Sequence, residues 1–213
     1  MTEKRHNTDH YFVPSPKSEP KFGLIRTALR GRYFEFLTSS GVFSKKQIDL
    51  GTRLLIETMA LPESGCALDI GCGYGAVGVA AASFNPGLRV VMTDVNVRAV
   101  NLAKQNADKS KLSNIEVRCG HLYEPVWDLT FDCVLSNPPV SAGTKVIRAI
   151  IAQAPQVMAD KATFQMVIRS KIGAKTLPMF FKEVFNNCQV LARRSGYRVL
   201  LGENHKSVQT LNC

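Results

Sequence analysis

Three features of the chain predict a doubly wound α/β fold built on one largely parallel sheet. From residue 66 onward, apolar strand-like runs at 66–70, 88–93, 114–119, 130–136, 162–169, 187–192 and 196–202 alternate with helix-like segments at about 75–84, 96–109, 143–158 and 173–185. Runs such as "RVVMT" and "TFQMVIR" do not alternate polar with apolar residues, as expected of strands covered by helices on both faces. The first of these strands, "CALDI", opens directly into the glycine-rich turn "GCGYG".

The elements ahead of that turn are of a different kind. Residues 1–20 are rich in charge, proline and serine and read as an extended arm. The stretch "GLIRTALRGRYFEFLT" carries two part-alternating runs around Arg30-Gly31-Arg32, which predicts a hairpin. Ile48, Leu55, Ile56 and Met59 then recur at helical spacing, and Leu61-Pro62 ends that segment. The expected division is an arm and hairpin over residues 1–47 and an α/β domain over 48–213. At the far end, Arg194-Ser195-Gly196 predicts the turn of a final antiparallel pair.

Composition limits the function classes. With 213 residues and 45% hydrophobic content the chain can bury one substantial core. Its start is polar and no run is long enough to cross a bilayer, so a cytoplasmic protein is expected, with no membrane partner. The six cysteines are dispersed, without a CxxC pair or a histidine at ligand spacing, which predicts reduced, core-packed thiols and no metal. The net charge of +10 is unevenly spread: residues 1–60 hold 10 basic and 6 acidic side chains, 61–140 hold 6 and 8, and 141–213 hold 11 and 3. A basic excess flanking an acidic centre favours a polyanionic partner, nucleic acid first.

The acidic centre is where a cofactor site is expected, because ligands of such sheets bind at the carboxyl ends of the strands. Gly71, Gly73 and Gly75 allow a tight turn and a close backbone approach. Asp69, two residues before that turn, is poorly placed for a phosphate and well suited to a cationic ligand. Asp94 ends the second strand nineteen residues after Gly75, where a carboxylate can accept both hydroxyls of a ribose. Together these carboxylates favour S-adenosylmethionine over a dinucleotide. The third strand ends in Gly120-His121 rather than an acid, leaving His121 to reach an adenine through its ring or its backbone amide, or to cover it.

The fourth strand stops at "SNPP". The exocyclic amine of a base is a weak nucleophile, since its lone pair is delocalised into the ring. Two acceptors for its hydrogens hold the nitrogen toward a pyramidal geometry and aim the lone pair. The Asn137 side-chain carbonyl and the Pro138 carbonyl are candidates, and Pro138 and Pro139 fix the turn without adding donors.

In the order "LDIGCGYG", "TDVN", "LYEPV", "FDCVLSNPP" the chain resembles class I methyltransferases of the small-domain type, especially RsmC-like rRNA guanine-N2 methyltransferases. The similarity extends to "HYF", "RGRYFEFLTSSGVFSKKQIDLGTRLLIE", "VIRSKIGAK" and "GYRVL". It implies a Rossmann-like sheet of strand order 3-2-1-4-5-7-6, methyl transfer from S-adenosylmethionine to rRNA or the small ribosomal subunit, and one methyltransferase domain acting as a monomer. Expected cofactor contacts are Asp69, Gly71, Cys72, Gly73, Asp94, Val95, His121, Leu122 and Asn137, with Asn137, Pro138 and Pro139 as the catalytic loop. Expected substrate contacts are Phe43, in a stretch that resembles one lying beside the active site, together with Val140, Arg169, Lys171 and Lys175. Val140 departs from the aromatic residue that often follows Asn-Pro-Pro, so base identity stays open between guanine N2 and cytosine N4. Protein glutamine methylation and a non-catalytic rRNA-binding assembly factor are the further alternatives.

Overall fold

The computed structural model describes residues 19–42, 47–139, 143–171, 173 and 176–206. Nine strands and five α-helices occur among them. Strands β1 (Phe22–Leu29) and β2 (Arg32–Ser39) form a separate antiparallel hairpin. The two residues between them, Arg30 and Gly31, have φ of 45° and 74°, the left-handed pair that a two-residue hairpin turn requires.

The remaining strands are β3 (Gly65–Ile70), β4 (Leu88–Asp94), β5 (Ile115–Cys119), β6 (Phe131–Ser136), β7 (Met158–Arg169), β8 (Gln189–Arg194) and β9 (Tyr197–Glu203). They make one seven-stranded sheet of order β5-β4-β3-β6-β7-β9-β8. Numbered from β3, this is the expected 3-2-1-4-5-7-6. The first five strands are parallel, while β9 runs antiparallel to both β7 and β8. Ser195 and Gly196, at φ 49° and 79°, turn the last pair.

Helices cover both faces. On one side α1 (Leu50–Thr58), α2 (Ala76–Phe84) and α3 (Val97–Lys109) pack with the hairpin, whose Ile25, Leu29, Phe34 and Phe36 join the same apolar cluster. On the other side α4 (Gly143–Gln153) and α5 (Thr176–Phe185) contribute Ile147, Ile150, Ile151, Leu177, Phe181 and Phe185 to a second cluster. Burial on both faces explains why the parallel strands read as continuous apolar runs.

The hairpin is fastened by polar contacts as well. Asn106 in α3 is fully buried; its amide donates to the carbonyls of Leu37 and Tyr74 and accepts from the Leu37 N–H. It thereby links β2 to the glycine turn. At the hairpin tip, Arg30 donates to the Met59 carbonyl at 2.6 Å, and Arg32 donates to the Ser83 carbonyl. Both guanidinium groups lie over the Phe84 ring. These two arginines therefore contribute to the fold as well as to the basic total.

Several boundaries differ from the sequence reading, including the start of α5 at Thr176 rather than 173. Helix α4 ends at Gln153 rather than near 158, because Pro155 cannot donate to a continuing helix and sits in a short 3-10 turn over Ala154–Gln156. Strand β7 consequently starts at Met158, four residues early, with an irregularity in its pairing between Phe131 and Cys133. Strand β8 lies two residues later than expected, and its pairing with β9 carries a shift of register between Val190 and Ala192. The five described cysteines are free thiols, but Cys119 is exposed rather than core-packed, since it ends the edge strand β5. No helix among the described residues is long and apolar enough to cross a membrane.

Candidate active site

The sheet changes winding direction between β3 and β6, its central neighbours, and a cavity of about 410 Å³ opens at their carboxyl ends. This is a volume suited to a nucleoside-sized ligand. Asp69, Gly71, Cys72, Gly73, Asp94, Val95, His121, Leu122, Asn137, Pro138 and Pro139 all line it, so four strand ends separated in sequence converge on one pocket. Arg169 and Lys171 are exposed at and beyond the end of β7 and do not line it. Phe43, Val140 and Lys175 lie outside the described residues, as do residues 1–18 of the expected arm. Of the stretch beginning at Gly41, Val42 is buried and lines the pocket.

The glycine turn is held from two sides. The N–H groups of Gly71 and Cys72 both donate to the Thr93 carbonyl at 2.9 Å, which fixes the turn against the end of β4. Gly73 has φ 58° with open space where a Cβ would stand, so its conformation, not crowding, calls for glycine. Gly78 is the opposite case: a Cβ there would lie 2.4 Å from the Met92 sulfur, and its absence lets α2 approach β4.

Asp69 is 1% exposed. Its Oδ2 accepts the N–H of Gly78 at 2.9 Å, supplying the cap that Gly75, lacking a side chain, does not give α2. Burial pushes this carboxyl up to about 7, opposed by the Gly78 N–H and reinforced by the neighbouring Asp94. A cationic ligand group would relieve that desolvation.

Asp94 accepts the N–H of Gly73 on Oδ2 and that of Asn96 on Oδ1, each at 2.9 Å. Each oxygen retains a second lone pair, so the carboxylate can still receive two hydroxyls while it shapes the turn. Its carboxyl is also raised by burial, against the lowering pull of these backbone bonds.

Tyr74 and Thr93 also line the pocket, and their buried hydroxyl oxygens have no hydrogen-bond partner among the described residues. The His121 imidazole is largely exposed, with Nδ1 3.8 Å from Glu124. Gly120, His121 and Leu122 all line the pocket while the imidazole itself is mostly exposed.

At the end of β6, Ser136 Oγ donates to the Ile70 carbonyl at 3.1 Å and ties the start of the Asn-Pro-Pro loop to the end of β3. Asn137 donates through Nδ2 to Thr52 Oγ1 at 2.7 Å and to Asp49 Oδ2 at 3.3 Å. A carboxylate can only accept, so the NH₂ group must face it, and Oδ1 is directed away from these partners. Sequence reasoning missed Asp49, Thr52, Tyr74 and Thr93. Asp49 carries only the local signal of a helix N-cap, a role it does fill by accepting the Thr52 N–H on Oδ2.

Fold and site together define an S-adenosylmethionine-dependent methyltransferase. Residues 33–201 match the methyltransferase small domain family, and the chain belongs to that family. It is 36% identical over 197 residues to the uncharacterized protein YbxB of Bacillus subtilis (strain 168), covering 91% of this chain and 97% of that one. It is 31% identical over 166 residues to ribosomal RNA small subunit methyltransferase C of Photorhabdus laumondii, covering 76% of this chain and 48% of the relative. Among solved structures, the Thermus thermophilus 16S rRNA N2 G1207 methyltransferase RsmC, in complex with AdoMet and guanosine, superposes with a TM-score of 0.78 at 22% identity. That superposition covers 86% of this chain and 51% of RsmC. The chain thus spans about half the length of these two RsmC proteins.

Proposed function

We propose that this chain methylates an exocyclic base amine of ribosomal RNA, guanine N2 in the small-subunit rRNA. The carrying observation is the orientation of Asn137: its NH₂ is committed to Thr52 and Asp49, which leaves Oδ1 as the acceptor beside the cofactor pocket. With the Pro138 carbonyl as second acceptor, the loop takes both hydrogens of an amine and directs its lone pair. Bound S-adenosylmethionine supplies the electrophilic methyl group. Asp94 would hold its ribose hydroxyls, the Asp69 carboxylate would offset its positive charge, and the Gly120–Leu122 wall would enclose the adenine. As the amine nitrogen bonds to the methyl carbon, that carbon's bond to sulfur would break with its electron pair left on the sulfur as a neutral thioether, and the methylated amine would release one proton to water.

The substrate assignment draws on the names of the relatives. The Photorhabdus relative is named for small-subunit rRNA, and the Thermus protein for N2 of a 16S rRNA guanosine. The excess of 11 basic over 3 acidic residues in 141–213 accords with an RNA partner. On this reading residues 48–213 form the methyltransferase domain and 1–47 an accessory arm and hairpin, working as a monomer in the cytoplasm, where ribosomes are assembled.

Mass spectrometry of rRNA nucleosides from a strain lacking the gene tests the assignment. N2-methylguanosine should fall at one small-subunit position and return on complementation. Loss of N4-methylcytidine instead would move the assignment to cytosine, and an unchanged nucleoside profile would remove rRNA from it.

A further inference from the structure

Asn137 stands at the end of a polar chain assembled from four distant parts of the sequence. Asp49 lies 88 residues before it, yet receives its NH₂ at 3.3 Å while capping α1. Thr52, the third residue of α1, receives the same NH₂ at 2.7 Å. Tyr197, the first residue of β9, donates its hydroxyl to Asp49 Oδ1 at 3.3 Å. Arg169, the last residue of β7, donates Nε to that hydroxyl at 2.9 Å and places its guanidinium carbon 5.4 Å from the centre of the tyrosine ring.

The packing leaves no slack in this arrangement. A Cβ on Gly51 would lie 2.9 Å from both Asp49 Oδ2 and the Tyr197 ring, so the start of α1 can approach β9 only with glycine there. Helix capping alone needs one carboxylate oxygen of Asp49 and nothing from Thr52 Oγ1. The threonine hydroxyl, in a side chain only 6% exposed, points at the catalytic amide and also lines the cofactor pocket.

We infer that Thr52 and Asp49 are positioning residues for the transfer step. By binding both hydrogens of the Asn137 amide they prevent its rotation and keep Oδ1 turned to the incoming amine, while Tyr197 holds Asp49 in place. The inference rests on the reading that Asn137 accepts the substrate amine. An amide free to rotate would present its own N–H to a donor half of the time, and small misplacements of a catalytic group are costly. Because the chain ends on exposed Arg169, the same contacts join the surface expected to meet RNA to the group expected to meet the base.

Thr52→Val tests this with little change of volume in the helix. Its kcat on rRNA should fall about 10–100-fold, with KM for RNA changed less than about 3-fold and the S-adenosylmethionine Kd less than about 2-fold. Thr52→Ser, which restores the oxygen, should recover most of that loss. In an Asn137→Ala background, Thr52→Val should cost nothing further, since its effect acts through the amide. Wild-type kcat in Thr52→Val, or a full additional loss in the double variant, would overturn the inference.

A readout without substrate separates this inference from the functional reading. The side-chain NH₂ signals of Asn137, assigned by their loss in Asn137→Ala, should shift and exchange faster in Thr52→Val. Unmoved signals contradict positioning whatever the activity. Wild-type turnover in Asn137→Ala, with shifted signals in Thr52→Val, would sink the proposed mechanism and leave the contact standing.

Discussion

Asp94 Oδ2 accepts the N–H of Gly73 at 2.9 Å, so the carboxylate at the end of β4 forms part of the wall of the glycine turn that follows β3. One residue therefore has two tasks. It fixes the turn and presents its remaining lone pairs to the pocket.

Asp94→Ala should register both tasks. Cofactor binding should weaken by about 1.5–3 kcal/mol, the worth of hydrogen bonds to a charged acceptor. The melting temperature should fall as well, since the Gly73 and Asn96 N–H groups lose their acceptor. Calorimetric titration and a thermal melt check the two effects, and unchanged affinity would remove Asp94 from the cofactor site.

Asp69 predicts a pH dependence whose sign follows from burial. Burial holds its folded carboxyl at about 7 against an ordinary value of 3.8, so the unliganded protein binds one more proton than the unfolded chain between these values. This group's contribution to stability is present below about 4 and is lost as pH rises toward 7. Cofactor affinity should move the other way: a cationic ligand selects the carboxylate, so Kd should tighten from pH 6 to pH 8, with proton release on binding. Asp69→Asn should flatten both profiles. A Kd independent of pH in the unaltered protein would contradict this role.

Asn106 predicts a structural cost without direct contact to ligand. Asn106→Ala leaves the Leu37 N–H and the Leu37 and Tyr74 carbonyls without their partner. Stability should drop by about 3 kcal/mol, the scale of a few buried groups left unpaired. Denaturant unfolding measures it, and a loss under about 1 kcal/mol would mean that water replaces the amide.

RNA recognition should be electrostatic. KM for RNA should rise steeply with added salt, and Lys171→Glu should raise KM for RNA while leaving the cofactor Kd in place. Lys171 is exposed just past the end of β7, on the edge of the sheet where the pocket opens. Indifference of KM to both salt and charge would argue against a nucleic-acid substrate.

The legible parts of the fold are those with local signatures. Glycine turns, the Asn-Pro-Pro stop and the two hairpin turns each depend on a few adjacent residues, and the structure has them at the expected places; the apolar strand runs are all present, with β7 and β8 shifted at their bounds. Asp69 and Asp94 were legible because they sit at fixed offsets from the glycines. Contacts across long stretches of chain were not: Asn137 meets Thr52 across 85 residues, and Tyr197 meets Asp49 across 148. In sequence, Asp49 and Thr52 show only a capped helix start and Tyr197 only a strand residue. Pro155 is a miss of another sort, since the apolar period of α4 runs on past the proline that ends it.

The central claim is that Asn137 acts on the amine and not on the cofactor. Single-turnover methylation of the native rRNA by Asn137→Ala tests it most directly, alongside the cofactor Kd. Loss of one preorganised acceptor predicts a rate lower by about 10²–10³-fold with the S-adenosylmethionine Kd nearly unchanged. A wild-type rate in Asn137→Ala would contradict the account and reduce Ser136-Asn137-Pro138-Pro139 to the end of a strand.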